Sequence, residues 1–446
     1  MTAIFLREFH SYFISPVGYV YLAAFYILAG YQFAVMILSG QADISAEFSF
    51  LYTVILLLTP ILTMRLMSED RKQKTDPILF SAPVTLNGIV AGKYFAAVVV
   101  YVVGVLVTLV HEVAISPYAE INWMIFWGNM AGIIFTGMAG IALCMFISSQ
   151  TENQIIAAIG GFAAMILVIS LNSIAGIISI EPFKKLLYGV SFYSRYYNMT
   201  MGIFSVSDIF FFVSFAAVFF FLTTRVLEKR RWGGNVRYGA LATVITVLGI
   251  VLVIAANVTA GQLTEKFGLS VDLTADKRYA ISKDTIEYIK KLDKEVKITV
   301  LVDEESMASG SNYIVQAYQN LLQYRRHSDK IKLEFVDLID NPTFVSKYED
   351  LELGSYDIIV EQGERKEVLS FGELYGYDES GSRIVSSKVD QMVTNALVMV
   401  TSDEKSVVSV LTGYGDVKPE DLSDLLVSNR FEVQEQSLLT EEINPD

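Results

Sequence analysis

Long apolar runs alternate with short polar stretches up to about residue 260, and beyond that point the pattern changes to short segments of mixed polarity. A helix that crosses the hydrocarbon core of a bilayer needs about 20 mainly apolar residues. Seven runs meet that requirement, near 17–39, 48–67, 94–115, 124–147, 155–178, 207–225 and 239–260. In the fifth, Gly160, Gly161, Ala163 and Ala164 suit close helix–helix approach in lipid. A less definite piece, 180–204, follows it. Ahead of the first run, Phe5, Phe9, Tyr12 and Phe13 recur at helical spacing with Arg7, Glu8, His10 and Ser11 between them. That pattern predicts a helix lying on the membrane face over residues 1–13.

The segment joining the second and third runs, Ser68–Lys93, is longer than a plain connector. It holds a knot of charge, Glu69, Asp70, Arg71, Lys72 and Lys74. Ile78, Leu79, Phe80, Val84, Leu86, Ile89 and Val90 then follow as one apolar helix face. The knot reads either as residues that fix orientation or as a docking handle for a cytosolic motor.

After Gly261 the spacing predicts a helix over 283–291 capped by Ser282, a strand over 296–302, an amphipathic helix over 313–326 and a strand over 332–338. A hairpin, 357–361 with 367–371, follows across Gln362–Lys366, then a helix over 390–400. The order β-α-β-(α)-β-β-α predicts an α/β layered domain, thioredoxin-like in outline. From Val407 a second α/β unit begins: a strand to about Leu411, a loop with Gly413–Gly415, a helix over 420–427 and a strand over 431–436. Its strands are too few to bury a core, which predicts that the natural protein continues, to a further spanning helix.

Composition sharpens this division. Hydrophobic residues make up 53% of the 446, too many for an ordinary soluble chain. Residues 1–260 hold 14 Lys and Arg against 12 Asp and Glu, whereas the remainder holds 20 against 36. An acidic second half repels phosphates, which argues against nucleic acid and anionic lipid as its partners. The single cysteine, Cys144, excludes an internal disulfide, and His10, His111 and His327 are scattered. With the N-terminus in the cytoplasm, eleven basic residues of the first half fall on the inner side and three, Lys184, Lys185 and Arg195, on the outer. Seven crossings then carry everything after about 261 out of the cytoplasm.

Chemistry-bearing residues are few. His111 and Glu112 lie toward the outer end of the third run; as ionisable groups in a span they fit either an interfacial anchor or a place on the translocation path. Glu152 and Asp208 sit at span edges and read as topological. Gly88–Tyr94 lacks the G-x-x-x-x-G-K-[ST] spacing of a phosphate-binding loop. Asp303, Glu304, Glu305, Asp337 and Asp340 gather at strand ends, where α/β sites lie. They read as solvated loop acids, with a cation or polysaccharide contact as the other reading. No nucleophile–base set stands out, so no enzyme activity of its own is expected.

Several of these motifs carry a resemblance. Ala3–Phe13 (A-I-F-L-R-E-F-H-S-Y-F), Ser15–Val20 (S-P-V-G-Y-V), Ser68–Thr75 (S-E-D-R-K-Q-K-T), Ser81–Val84 (S-A-P-V) and Gly92–Tyr94 (G-K-Y) resemble the permeases of ABC-2 type transporters, most closely the gliding-motility, GldF-like group. The chain departs in having Lys74 where a glycine is common and Asp76–Pro77 where a Leu-Glu pair is common. Val271–Ser282 (V-D-L-T-A-D-K-R-Y-A-I-S) resembles the start of the GldG-like auxiliary domain of the same systems. The resemblance implies a multi-pass α-helical permease followed by its fused auxiliary α/β domain, in a bacterial cytoplasmic membrane. The expected organisation is a permease over 1–238 with about six spans and the interfacial helix, a seventh span over 239–260, the extracytoplasmic α/β domain over 261–402, and the second unit over 403–446. The resemblance also implies a permease homodimer in the membrane, driven by a separate cytosolic ATPase that binds the ATP. That ATPase docks on the N-terminal helix and the 68–93 loop, with Arg7, Glu69, Asp70, Arg71, Lys72 and Thr75 as coupling contacts. The auxiliary domain would meet a cargo or an envelope protein. Two other functions fit the residues: an envelope-anchored interaction module that transports nothing, and a membrane-bound enzyme acting on a surface polymer.

Overall fold

The computed structural model describes residues 1–40, 44–81, 83–178, 180–231, 236–308, 310–338, 341–348, 353–378, 381, 384–402, 407–412 and 432–437. The chain divides into two compact units, Met1–Lys277 and Arg278–Asp446.

In the first unit, α1 (Thr2–Ile14) ends where Ser15 turns extended, and Pro16 opens α2 (Pro16–Leu38). Proline suits a first helical position because its fixed φ is already helical and its missing N–H would have no partner there. α3 (Ile44–Thr63) leads through a turn to α4 (Ser68–Lys72) and then α5 (Asp76–Ser81). Thr85 caps α6 (Leu86–Val105) by accepting the Gly88 N–H, and α7 (Val107–Ile115) continues from it. Asn122 caps α8 (Trp123–Gln150) and Asn153 caps α9 (Gln154–Ile177) in the same way. The indefinite piece 180–204 forms two short helices, α10 (Glu181–Val190) and α11 (Phe192–Thr200). Strand β1 (Ile203–Ser205), α12 (Val206–Arg231), α13 (Val236–Phe267) and β2 (Ser270–Asp272) complete the unit, with β2 antiparallel to β1.

Seven helical stretches among the described residues are long and apolar enough to cross a membrane: Pro16–Leu38, Ser45–Lys72, Leu86–Ile115, Trp123–Gln150, Gln154–Ile177, Val206–Arg230 and Thr243–Thr264. Each coincides with one of the runs read from the sequence, and together they fit a multi-pass membrane protein. Packing sorts them. In the most apolar eighteen residues of the α3 and α8 stretches two-thirds are buried within the unit, whereas in those of α13 none is. Leu248, Val251 and Leu252 of α13 are exposed, an apolar face suited to lipid as solvent. Small residues permit the closest approaches, as the fifth run suggested. A Cβ on Gly161 of α9 would stand 2.9 Å from Pro60 Cβ of α3. One on Gly137 of α8 would strike the Tyr101 ring.

The second unit begins with α14 (Lys283–Lys290), capped by Ser282, whose side chain accepts the Thr285 N–H. β3 (Val296–Val300), α15 (Glu304–Ala308), α16 (Asn312–His327) and β4 (Ile331–Phe335) follow. A 3-10 turn, Pro342–Lys347, precedes the hairpin β5 (Ile358–Gln362) and β6 (Arg365–Leu369). The hairpin turn is tighter than the sequence suggested, because Gly363 takes a φ of +62° and lets two residues reverse the chain. A second small hairpin, β7 (Tyr375–Tyr377) with β8 (Ile384–Ser387), leads to α17 (Val389–Thr401). The main sheet has the order β4-β3-β5-β6; β3 is parallel to β4 and antiparallel to β5, and β5 is antiparallel to β6. Its core gathers Ile298, Val300, Val360, Leu321 and Leu397. Finally β9 (Val407–Thr412) pairs in parallel with β10 (Glu432–Ser437). The expected loop 413–415 and helix 420–427 between them lie outside the described residues.

Candidate coupling site

The charged segment after α3 folds as two short helices joined by a left-handed residue. At the end of α4 the Lys74 N–H donates to Arg71 O at 3.2 Å and the Thr75 N–H to Asp70 O at 2.9 Å. Lys74 takes a φ of +56°, the arrangement in which a helix is closed by a residue that glycine fills most easily. Thr75 then starts the next turn, its carbonyl accepting Ile78 and Leu79 N–H. Its hydroxyl donates to Asp70. The apolar face read as one helix is therefore broken. Ile78 on α5 is exposed, whereas Leu86, Ile89 and Val90 of α6 are buried, because the chain turns at Pro83–Thr85 before α6 begins.

Lys93 is the centre of the cluster. The sequence counts it as a loop charge, but it lies about two turns into α6 and is 2% exposed. Its Nζ reaches Asp70 Oδ2 at 2.6 Å, Glu8 Oε1 at 3.0 Å and Leu66 O at 2.7 Å. Gly92 beside it allows α1 to close in, since a Cβ there would meet Ile4 Cγ2 at 3.0 Å and Phe5 N at 3.1 Å. Arg7 pairs with Glu8 and approaches Asp70 at 3.9 Å. Tyr12 OH donates to Leu62 O at 2.8 Å, and Arg65 binds Ser15 Oγ and, at 2.8 Å, Glu69. Helices α1, α4 and α6 and the end of α3 are thus held by buried charge pairs in a setting where each partner offsets the other's desolvation.

The far ends of α8 and α12 join the same cluster. Ser148 Oγ accepts the Met67 and Ser68 N–H groups and so caps α4 from another helix. Arg71 donates to Gln150 O at 3.1 Å and lies 3.8 Å from Glu152. Arg230 donates to Ser149 O and lies 3.6 Å from Asp76. Burial raises the Asp76 carboxyl above its ordinary value, and Arg230 pulls it back. Of the coupling residues expected from the sequence, Arg7, Glu69, Asp70, Arg71 and Thr75 are brought together, and Lys72 is exposed beside them. The sequence reading missed Glu8 and Lys93 as the joint; a lysine next to Gly92 inside an apolar helix was the available signal.

At the opposite end of α3, His111 Nδ1 lies 2.7 Å from Glu47 Oε1. The Phe33 ring stacks on the imidazole at 4.2 Å. Glu112 is buried beside them. Glu47 escaped the sequence reading, although a glutamate in the first turn of an apolar run was legible. Asp208 is more than a topological edge charge: it is buried and paired with Arg195 at 3.0 Å. In the second unit Asp303 caps α15 through Ser306, and Glu304 accepts from Tyr318 OH at 3.0 Å. Asp340 lies outside the described residues. No group of three metal-ligating side chains is placed to hold an ion among the described residues.

Residues 275–375 match the family model of a domain of unknown function, DUF7088. The match spans the four strands of the main sheet. Comparison with curated proteins gives no match.

Proposed function

We propose that this chain is the membrane subunit of an ATP-driven export system, an ABC-2 type permease of the GldF-like group with a fused GldG-like domain. A separate cytosolic ATPase docks on α1 and on the 68–93 segment. The observation that carries this reading is the Lys93-centred cluster. It makes one mechanical body of α1, α4 and α6, with α8 and α12 pinned to it, so a push on this surface reaches several spans at once. Leu6 and Ile78 are exposed apolar groups beside it, and Lys72 adds an exposed charge, a combination suited to a protein partner. ATP binding would shift the permease only because the docked motor prefers one of its states. Two copies would pair about a two-fold axis in the cytoplasmic membrane.

The basic residues of the first half favour a cytoplasmic N-terminus, and seven crossings then put the second unit on the far side. Its strand order and directions support a thioredoxin-like reading of the sheet. Without a C-x-x-C pair that layer serves recognition of a cargo or an envelope protein, not disulfide exchange. The test is affinity purification of the tagged full chain. An ABC ATPase is expected to co-purify, and Lys72→Glu with Ile78→Asp is expected to lower the ATPase activity of the complex several-fold. Absence of any ATPase, with the double variant indistinguishable from wild type, would sink the transport reading.

A further inference from the structure

Glu47, His111 and Glu112 lie within two of the stretches able to span a membrane, Ser45–Lys72 and Leu86–Ile115. They are 2%, 8% and 1% exposed. We propose that these three side chains form a shared proton-binding site in the membrane unit, which ties α3 to α7 while it is loaded. The inference does not depend on the transport reading.

No lysine or arginine occurs on α2, α3 or α7, the helices that carry the cluster and its Phe33 lid. α6, packed on α2 and α7, has only Lys93, at its far end and bound to Asp70 and Glu8. α8 and α9, packed on α3, carry no charged residue. α11 brings Arg195, already paired with Asp208. The other polar ring groups on these helices include Tyr31, Tyr52, Tyr101 and Tyr196, phenols that bring no cation. Two carboxyls therefore share one base, His111. Fully ionised, the three groups carry a net negative charge, which is costly in a low-dielectric setting. Two protons distributed over the three groups make it neutral.

Glu112 Oε1 is buried with no hydrogen-bond partner among the described residues. A bare carboxylate oxygen in that position is costly to desolvate, and a proton on the carboxyl lowers the cost. The proton needs no cavity, and the described residues place no three ligands suited to a metal ion. When a proton leaves, Glu47 and Glu112 compete for one imidazole and the 2.7 Å Glu47–His111 bond loses its balance. Because α3 runs from this cluster to α4, loading is positioned to bias the far end of that helix.

Infrared difference spectroscopy on the full chain in lipid nanodiscs tests this. At neutral pH the wild type is expected to show a protonated-carboxyl C=O band that disappears on alkaline titration and does not respond to sodium or potassium at fixed pH. Glu112→Gln, whose amide copies the shape of the protonated acid, is expected to lose one such band, and Glu112→Asp to keep it. A wild type without the band, a band that persists in both Glu112→Gln and Glu47→Gln, or displacement of the band by sodium would overturn the proposal.

Discussion

An ammonium buried among apolar helices is costly to desolvate, and at Lys93 three oxygens, from Asp70, Glu8 and Leu66, offset that cost. The dependence runs both ways, since the two carboxylates face each other across the lysine. Lys93→Met is expected to destabilise the protein by about 3 kcal/mol, because it takes the buried ammonium from both acids and leaves them only the more exposed Arg7; thermal unfolding of the purified chain measures it. Adding Asp70→Asn is expected to recover part of the loss, and two single-variant losses that simply add would show that the pair is not coupled. The sequence showed the charges of this cluster but not their pairing, because Lys93 and Glu8 are 85 residues apart and nothing in local spacing relates them.

At the scale of elements, the junction between α4 and α5 holds the segment in place. Lys74 closes α4 at a φ of +56°, a conformation that costs a side-chain-bearing residue about 1–2 kcal/mol and glycine almost nothing. Lys74→Gly is therefore expected to stabilise the fold by about 1 kcal/mol, less the extra freedom glycine gives the unfolded chain; a lower unfolding midpoint would contradict this account. The two-residue turn at Gly363 and the helix caps Ser282, Thr85, Asn122 and Asn153 follow from local chemistry, and most of these ends were close to their sequence-based positions. The break at Pro83–Thr85 was less legible, because apolar residues continue on both sides of it.

For the whole molecule, the number of crossings decides on which side the second unit lies. Eleven basic residues on one side against three on the other predict a cytoplasmic N-terminus, and if all seven apolar helices cross, Ser355 would lie on the opposite side. Ser355 is exposed, and Cys144 is buried. Ser355→Cys is thus expected to react with an impermeant thiol reagent on intact cells. Reaction only after lysis would place the second unit in the cytosol and remove the far-side role proposed for it.

The length of the apolar runs determined the seven helices able to span a membrane, and periodicity the four main strands and α14, α16 and α17 of the second unit, since length and pattern along the chain are local quantities that the sequence states directly; α15 and the β7–β8 hairpin are too short to leave such a pattern. The tertiary structure alone decided which charges are paired: Lys93 with Glu8 and Asp70, His111 with Glu47, Asp208 with Arg195. The reason is physical. A side chain's contribution depends on the dielectric and the partners around it, and both are set by helices that meet only when the chain folds.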